Sequence, residues 1–126
     1  MTRRGLLLFA HGARDPRWAE PFEAVVRRAQ AGDPGVEVRL AFLELMTPSL
    51  PDAGAALAPA GCERVDIVPL FLGAGGHVRK DIPALVAALE QAWPQVQWRL
   101  QRAIGESPRL IDAMADIALT HLREPD

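Results

Sequence analysis

Leu6 to Ala10 form an unbroken apolar run that stops on a histidine, in the stretch "GLLLFAHGARDPR". A strand with no polar face must be covered on both sides, and such strands belong to parallel sheets flanked by helices. Two further segments read as strands: "VEVRLAFLEL" (Val36 to Leu45) and "RVDIVPLFL" (Arg64 to Leu72). A fourth and more polar one, "VQWRLQRA", covers Val96 to Ala103. Gly5 to Ala10 is therefore read as the first of four strands.

Helical segments fill the intervals. Asp15 and Pro16 have the chemistry of an N-cap and a first turn, ahead of Trp18, Phe22, Val25, Val26 and Ala29 at helical spacing. "AGDPG" (Ala31 to Gly35) closes that helix with turn residues. Thr47 to Gly61 is rich in small residues and helical after its prolines. The glycine-rich "GAGGHVRK" reads as a loop, followed by a helix from about Asp81, its cap, to Trp93. The last helix starts after Ser107-Pro108 and reaches about Leu122. This β-α-β-α-β-α-β-α order predicts a three-layer α/β/α fold around a four-stranded parallel sheet, as a single domain over 1–126.

Composition narrows the function. The net charge of −2 argues against a nucleic-acid binder. No apolar run approaches the ~20 residues of a membrane span. The apolar run near the N-terminus is short for a signal peptide and has no small-residue cleavage site, so a cytoplasmic location is expected. Cys62 is the only cysteine, which excludes an internal disulfide and a cysteine-based metal motif.

In open parallel sheets, ligands bind outside the carboxyl ends of the strands. His11 follows the first strand, Glu44 lies near the end of the second, and His77 lies in the loop after the third. Adjacent strands are ~4.8 Å apart, so these three side chains can converge on one centre. Two imidazoles and a carboxylate suit a divalent first-row transition metal. Glu44 is equally able to act as a base beside it.

The motifs "HGARDPR", "FLELMTPSL" and "VPLFLGAGGHVRKDIP" together resemble the short-form sirohydrochlorin cobaltochelatase/ferrochelatase family, class II chelatases that use no ATP. The resemblance runs from Leu6 to about Leu89, and the remaining strand and helix fit its half-domain. Ala13 departs from the pattern, where members often carry Ser. The resemblance implies His11 and His77 as metal ligands, Glu44 as the active-site acid, and insertion of Co²⁺, Fe²⁺ or Ni²⁺ into a sirohydrochlorin-type tetrapyrrole. The metal is then a substrate, and no organic cofactor is expected. Because this substrate carries many carboxylates, Arg14, Arg17, Arg79 and Lys80 are candidate binding residues. Gly73, Gly75 and Gly76 would let backbone approach a flat ligand. One small sheet offers one wall to a wide macrocycle, and the resembled family completes the cleft by fusing two domains or pairing two chains; a homodimer is expected.

Rival readings fit less well. A histidine phosphatase would carry Arg where Ala10 stands. Two-histidine, one-carboxylate iron oxygenases use β-barrels, and no GxxxxGK[ST] nucleotide loop is present. A non-catalytic metal carrier would use the same ligands, although carriers often add His- or Cys-rich tracts. His121, Cys62, Trp93 and Trp98 are read as structural, with Trp18 near enough to the His11 loop to line a pocket. Pro69 implies a bulge or an edge position.

Overall fold

A computed structural model of the chain describes residues 3–73 and 75–123, with residues 76–79 described by their backbone alone. Four strands, β1 (Arg3–Ala10), β2 (Val36–Phe42), β3 (Cys62–Pro69) and β4 (Gln97–Leu100), form one parallel sheet in the order β2-β1-β3-β4. The helices are α1 (Glu20–Gly32), α2 (Leu50–Leu57), α3 (Gly76–Ala92) and α4 (Pro108–Thr120). The expected α/β architecture is present. A 3-10 turn, Pro16–Ala19, precedes α1, and a second, Ile104–Glu106, precedes α4.

Strand alternation sorts the side chains onto two faces. Leu7, Phe9, Val65, Ile67 and Trp98 point to the side that holds Leu50, Leu57, Val86 and Leu89, and this is the main core, under α2 and α3. Each such side chain, fully buried, contributes about 1.5–3 kcal/mol. On the other face Ala10 and Phe42 pack with Ala19, Trp18 and Phe22 at the start of α1. Trp18 stacks obliquely on Phe22, with centroids 4.6 Å apart, so it serves packing. Trp98 lies in the core and gives its indole N–H to the Trp93 carbonyl. Cys62 is buried at the head of β3, where burial, with the Glu37 charge, pushes its thiol pKa up.

Several boundaries differ from the sequence reading. Strand β2 ends at Phe42, so Glu44 sits on a loop. Strand β3 runs from Cys62 to Pro69, and β4 is only Gln97–Leu100. Helix α3 begins at Gly76, capped by the extended backbone of Gly75. His77, Arg79 and Lys80 therefore belong to its opening turns, and Asp81 is not its cap. Pro83 lies inside this helix, where its missing N–H forfeits one helical bond.

Pro69 marks neither a bulge nor an edge strand. Gln101 gives its N–H to the Ile67 carbonyl, and β4 ends beside Ile67. Residue 69 faces that same side one rung later, where the ladder has no further partner. The missing N–H of proline costs nothing there.

Candidate active site

The backbone sets the site before any side chain does. Beyond the last β1–β2 rung, Leu43 gives its N–H to the Ala10 carbonyl and Glu44 gives its own to the His11 carbonyl. The loop that carries Glu44 thus stays laced to the loop that carries His11. It then reverses sharply: Met46 N–H bonds the Glu44 carbonyl at 2.8 Å across Leu45, whose φ is 65°. A leucine in this region is strained by roughly 1–3 kcal/mol. The loop is closed again where Phe42 N–H bonds the Pro48 carbonyl, just before Ser49 caps α2. Glu44 is held between two anchored ends.

Gly12 makes the approach possible. Its φ is +99°, and a Cβ there would overlap the Glu44 carbonyl oxygen. Sequence reasoning passed over this glycine in favour of Gly73 and Gly75, which meet nothing within contact range at the Cβ position. The available signal was the "HG" pair at a strand end, a place where a positive φ is common.

With the backbone so arranged, His11 Nε2 lies 3.1 Å from Glu44 Oε1. The side chains are 47% and 55% exposed, so the pair faces solvent at the carboxyl edge of the sheet. An ionised carboxylate only accepts, so this bond needs the imidazole proton on Nε2 and leaves the Nδ1 lone pair for another electrophile. Phe71, buried just after β3, meets the His11 ring edge-on at 6.0 Å and the Phe9 ring at 5.8 Å. It is a wall that limits where the imidazole can turn, and sequence reasoning did not identify it.

Phe71 also lines a cavity of about 290 Å³ with Leu72, Ile82, Pro83, Leu100 and Arg102. A second hollow, about 300 Å³, lies on the other flank of the His11 loop, between Arg14, Leu45 and Met46.

The other predicted residues divide. Arg14 is exposed and borders the second hollow. Arg17 turns back to Asp15, its Nη2 3.0 Å from Oδ2, and this guanidinium together with the Arg17 N–H holds the Asp15 carboxyl below its usual range. Lys80 is exposed on α3. The side chains of His77 and Arg79 lie outside the described residues, and Gly76 is described by its backbone alone. Among the described residues no third His, Cys, Asp or Glu joins His11 and Glu44.

A strand-end histidine paired to a loop carboxylate, at the edge of a β2-β1-β3-β4 parallel sheet, can be compared with known proteins. The CbiX family model matches residues 5–119. The chain belongs to the CbiX family. It is 27% identical over 111 residues to the sirohydrochlorin ferrochelatase of Priestia megaterium, covering 88% of this chain and 42% of that one. It is 34% identical over 84 residues to the sirohydrochlorin cobaltochelatase of Methanothermobacter thermautotrophicus, covering 65% and 57%. This CbiX chain therefore spans about half the length of these relatives. Among solved structures, a cobalamin (vitamin B12) biosynthesis CbiX protein from Marinobacter aquaeolei VT8 superposes with a TM-score of 0.84 at 37% identity, over 95% of this chain and 98% of that one. Among the described residues, no helix is long and apolar enough to cross a membrane.

Proposed function

We propose that this chain catalyses ATP-independent insertion of a divalent metal, Co²⁺, Fe²⁺ or Ni²⁺, into a sirohydrochlorin-type tetrapyrrole. The observation that carries the reading is the exposed His11–Glu44 pair, 3.1 Å apart, in a chain of the CbiX family. Insertion places one dication in the macrocycle and removes two pyrrole N–H protons, so it needs a metal donor site and a base within reach of one another. His11 and His77 hold the incoming ion, and Glu44 serves as third ligand or as proton acceptor. Both metal and macrocycle are substrates, and the chemistry requires no organic cofactor.

Substrate carboxylates are drawn to Arg14, Arg17, Arg79 and Lys80, with backbone contact at Gly75 and Gly76. Of these, Arg17 must first leave Asp15. The apolar walls around Phe71, which meets the His11 ring, and around Leu45 suit the flat faces of a macrocycle. A single sheet edge covers one side of such a ligand, so two copies of the chain complete the cleft, and the reaction is assigned to the cytoplasm.

Purified protein mixed anaerobically with sirohydrochlorin and each metal tests this. The expected result is accelerated change in the tetrapyrrole absorbance over a no-protein control, lost in His11→Ala and His77→Ala. Metal binding by folded protein without any acceleration overturns the proposal in favour of a metal carrier.

A further inference from the structure

Outside α4 and the turn after it, the large apolar side chains exposed among the described residues are those of Val25 on α1, Leu45, Leu72 and Leu100. The last three lie at the carboxyl ends of β2, β3 and β4, on the sheet edge that carries His11. Exposed apolar residues scattered singly need no explanation, whereas a gathering at one edge does.

Leu45 and Leu72 are the most exposed of the three, at 59% and 63%. Each adjoins a residue that meets the His11 ring: Leu45 follows Glu44, and Leu72 follows Phe71. Neither is exposed because its backbone is loose. Leu45 is the centre of a γ-turn, closed by the Met46 N–H on the Glu44 carbonyl, in the rare and strained positive-φ form. Glycine would make that turn without the strain, so the cost is borne by the leucine side chain alone. Leu72 is fixed from the other direction. Gly105, in the 3-10 turn before α4, gives its N–H to the Phe71 carbonyl at 2.9 Å, and a Cβ on it would overlap the Leu72 carbonyl.

The surroundings of both leucines suit a small molecule. Leu72 lines the cavity of about 290 Å³ and Leu45 the one of about 300 Å³, the lower end of the range for small-molecule sites. A protein partner would need about 800 Å² of surface on each side. In sheet order, the strands that lead to Leu45, His11 and Leu72 are β2, β1 and β3. The strand of the histidine is the middle one, and the outer two are about 10 Å apart. A flat ligand centred on an ion at His11 reaches both.

We infer that Leu45 and Leu72 are substrate-contact residues, held out on fixed backbone at the strand ends that flank β1 to take the apolar face of the macrocycle. This rests on the insertion reading and names the residues that set the seat of its larger substrate.

Equilibrium binding of metal-free sirohydrochlorin to the full chain, read from its absorbance, tests the inference apart from turnover. Leu45→Gly should keep or raise the melting temperature, because the strain is removed, and weaken macrocycle binding roughly 10-fold. Leu72→Ser should weaken it to a similar degree with the melting temperature unmoved. Leu45→Met, which keeps an apolar side chain at the turn, should bind as the wild type does. Cobalt binding without macrocycle should be alike in all four proteins. Unchanged macrocycle affinity in Leu45→Gly and Leu72→Ser overturns the inference, and if the wild type inserts metal the insertion reading stands. Loss of cobalt binding in Leu45→Gly also overturns it, since the leucine then acts through Glu44. A changed solution mass with affinity kept assigns the leucines to a protein contact and overturns it too. Macrocycle binding that depends on both leucines, in a wild type that inserts no metal, upholds the inference and overturns the insertion reading.

Discussion

The two stretches that lead to His11 and His77 differ in how they are built. The β1 loop, with His11 and Gly12, is locked to the Glu44 loop by backbone hydrogen bonds, a positive-φ glycine and the strained Leu45 reversal. The stretch after β3 is rich in glycine, and Gly73 and Gly75 face open space where a side chain would sit. One side of the edge is pre-organised by close contact. The other reaches helix α3 through residues that no neighbour requires to be glycine. Phe71 ties the two together, since it belongs to the β3 side and supports the imidazole on the β1 side.

The largest effect expected from breaking this arrangement is at Phe71. Phe71→Ala should cost about 3–5 kcal/mol in chemical denaturation, because the ring is buried against Phe9. It should also slow the proposed metal insertion, with His11 released. Gly12→Ala should cost about 2–3 kcal/mol, from the positive φ and the overlap with the Glu44 carbonyl. Gly75→Ala, its counterpart on the other side, should change stability by less than about 0.5 kcal/mol. If the two substitutions cost the same, the contrast between the loops is wrong.

Glu44→Gln separates chemistry from stability. A side-chain contact this exposed is worth at most about 1 kcal/mol, so the melting temperature should barely move. The insertion rate should fall roughly 100-fold if the carboxylate takes up protons.

The smallest effect is at Asp15. Its folded pKa lies below the unfolded value, so its contribution is complete above about pH 4 and fades as pH falls through the folded value. The protection of the Arg17 amide, its exchange rate measured against the unstructured peptide at the same pH, should fall on acidification in the wild type. In Asp15→Asn that protection should not change with pH.

Much of this was legible in the sequence because the first strand is apolar beyond Gly5 and strands alternate with helical segments, which together imply a covered parallel sheet. The meeting of His11 and Glu44 followed from strand ends on a shared edge. Local chemistry misled where two rules competed. Leu43, Leu45 and Met46 extend the apolar pattern of β2, yet the chain leaves the sheet at Phe42 and reverses at Leu45. Asp81 and Pro83 have the composition of a helix start, but α3 begins at Gly76 and carries the proline inside. Gly12 and Phe71 were missed because their roles depend on atoms more than 30 residues away.

The lacing of His11 to Glu44 also bears on how the site is made during folding. The two residues are 33 positions apart and separated by one crossover, α1, between neighbouring strands. Their contact is therefore of modest sequence separation, and its closure entropy is that of a single loop. Both side chains of the pair come from one β-α-β unit, His11 just past β1 and Glu44 just past β2. The backbone lacing of this contact lies wholly within the first half of the chain, and the second half reaches it through Phe71.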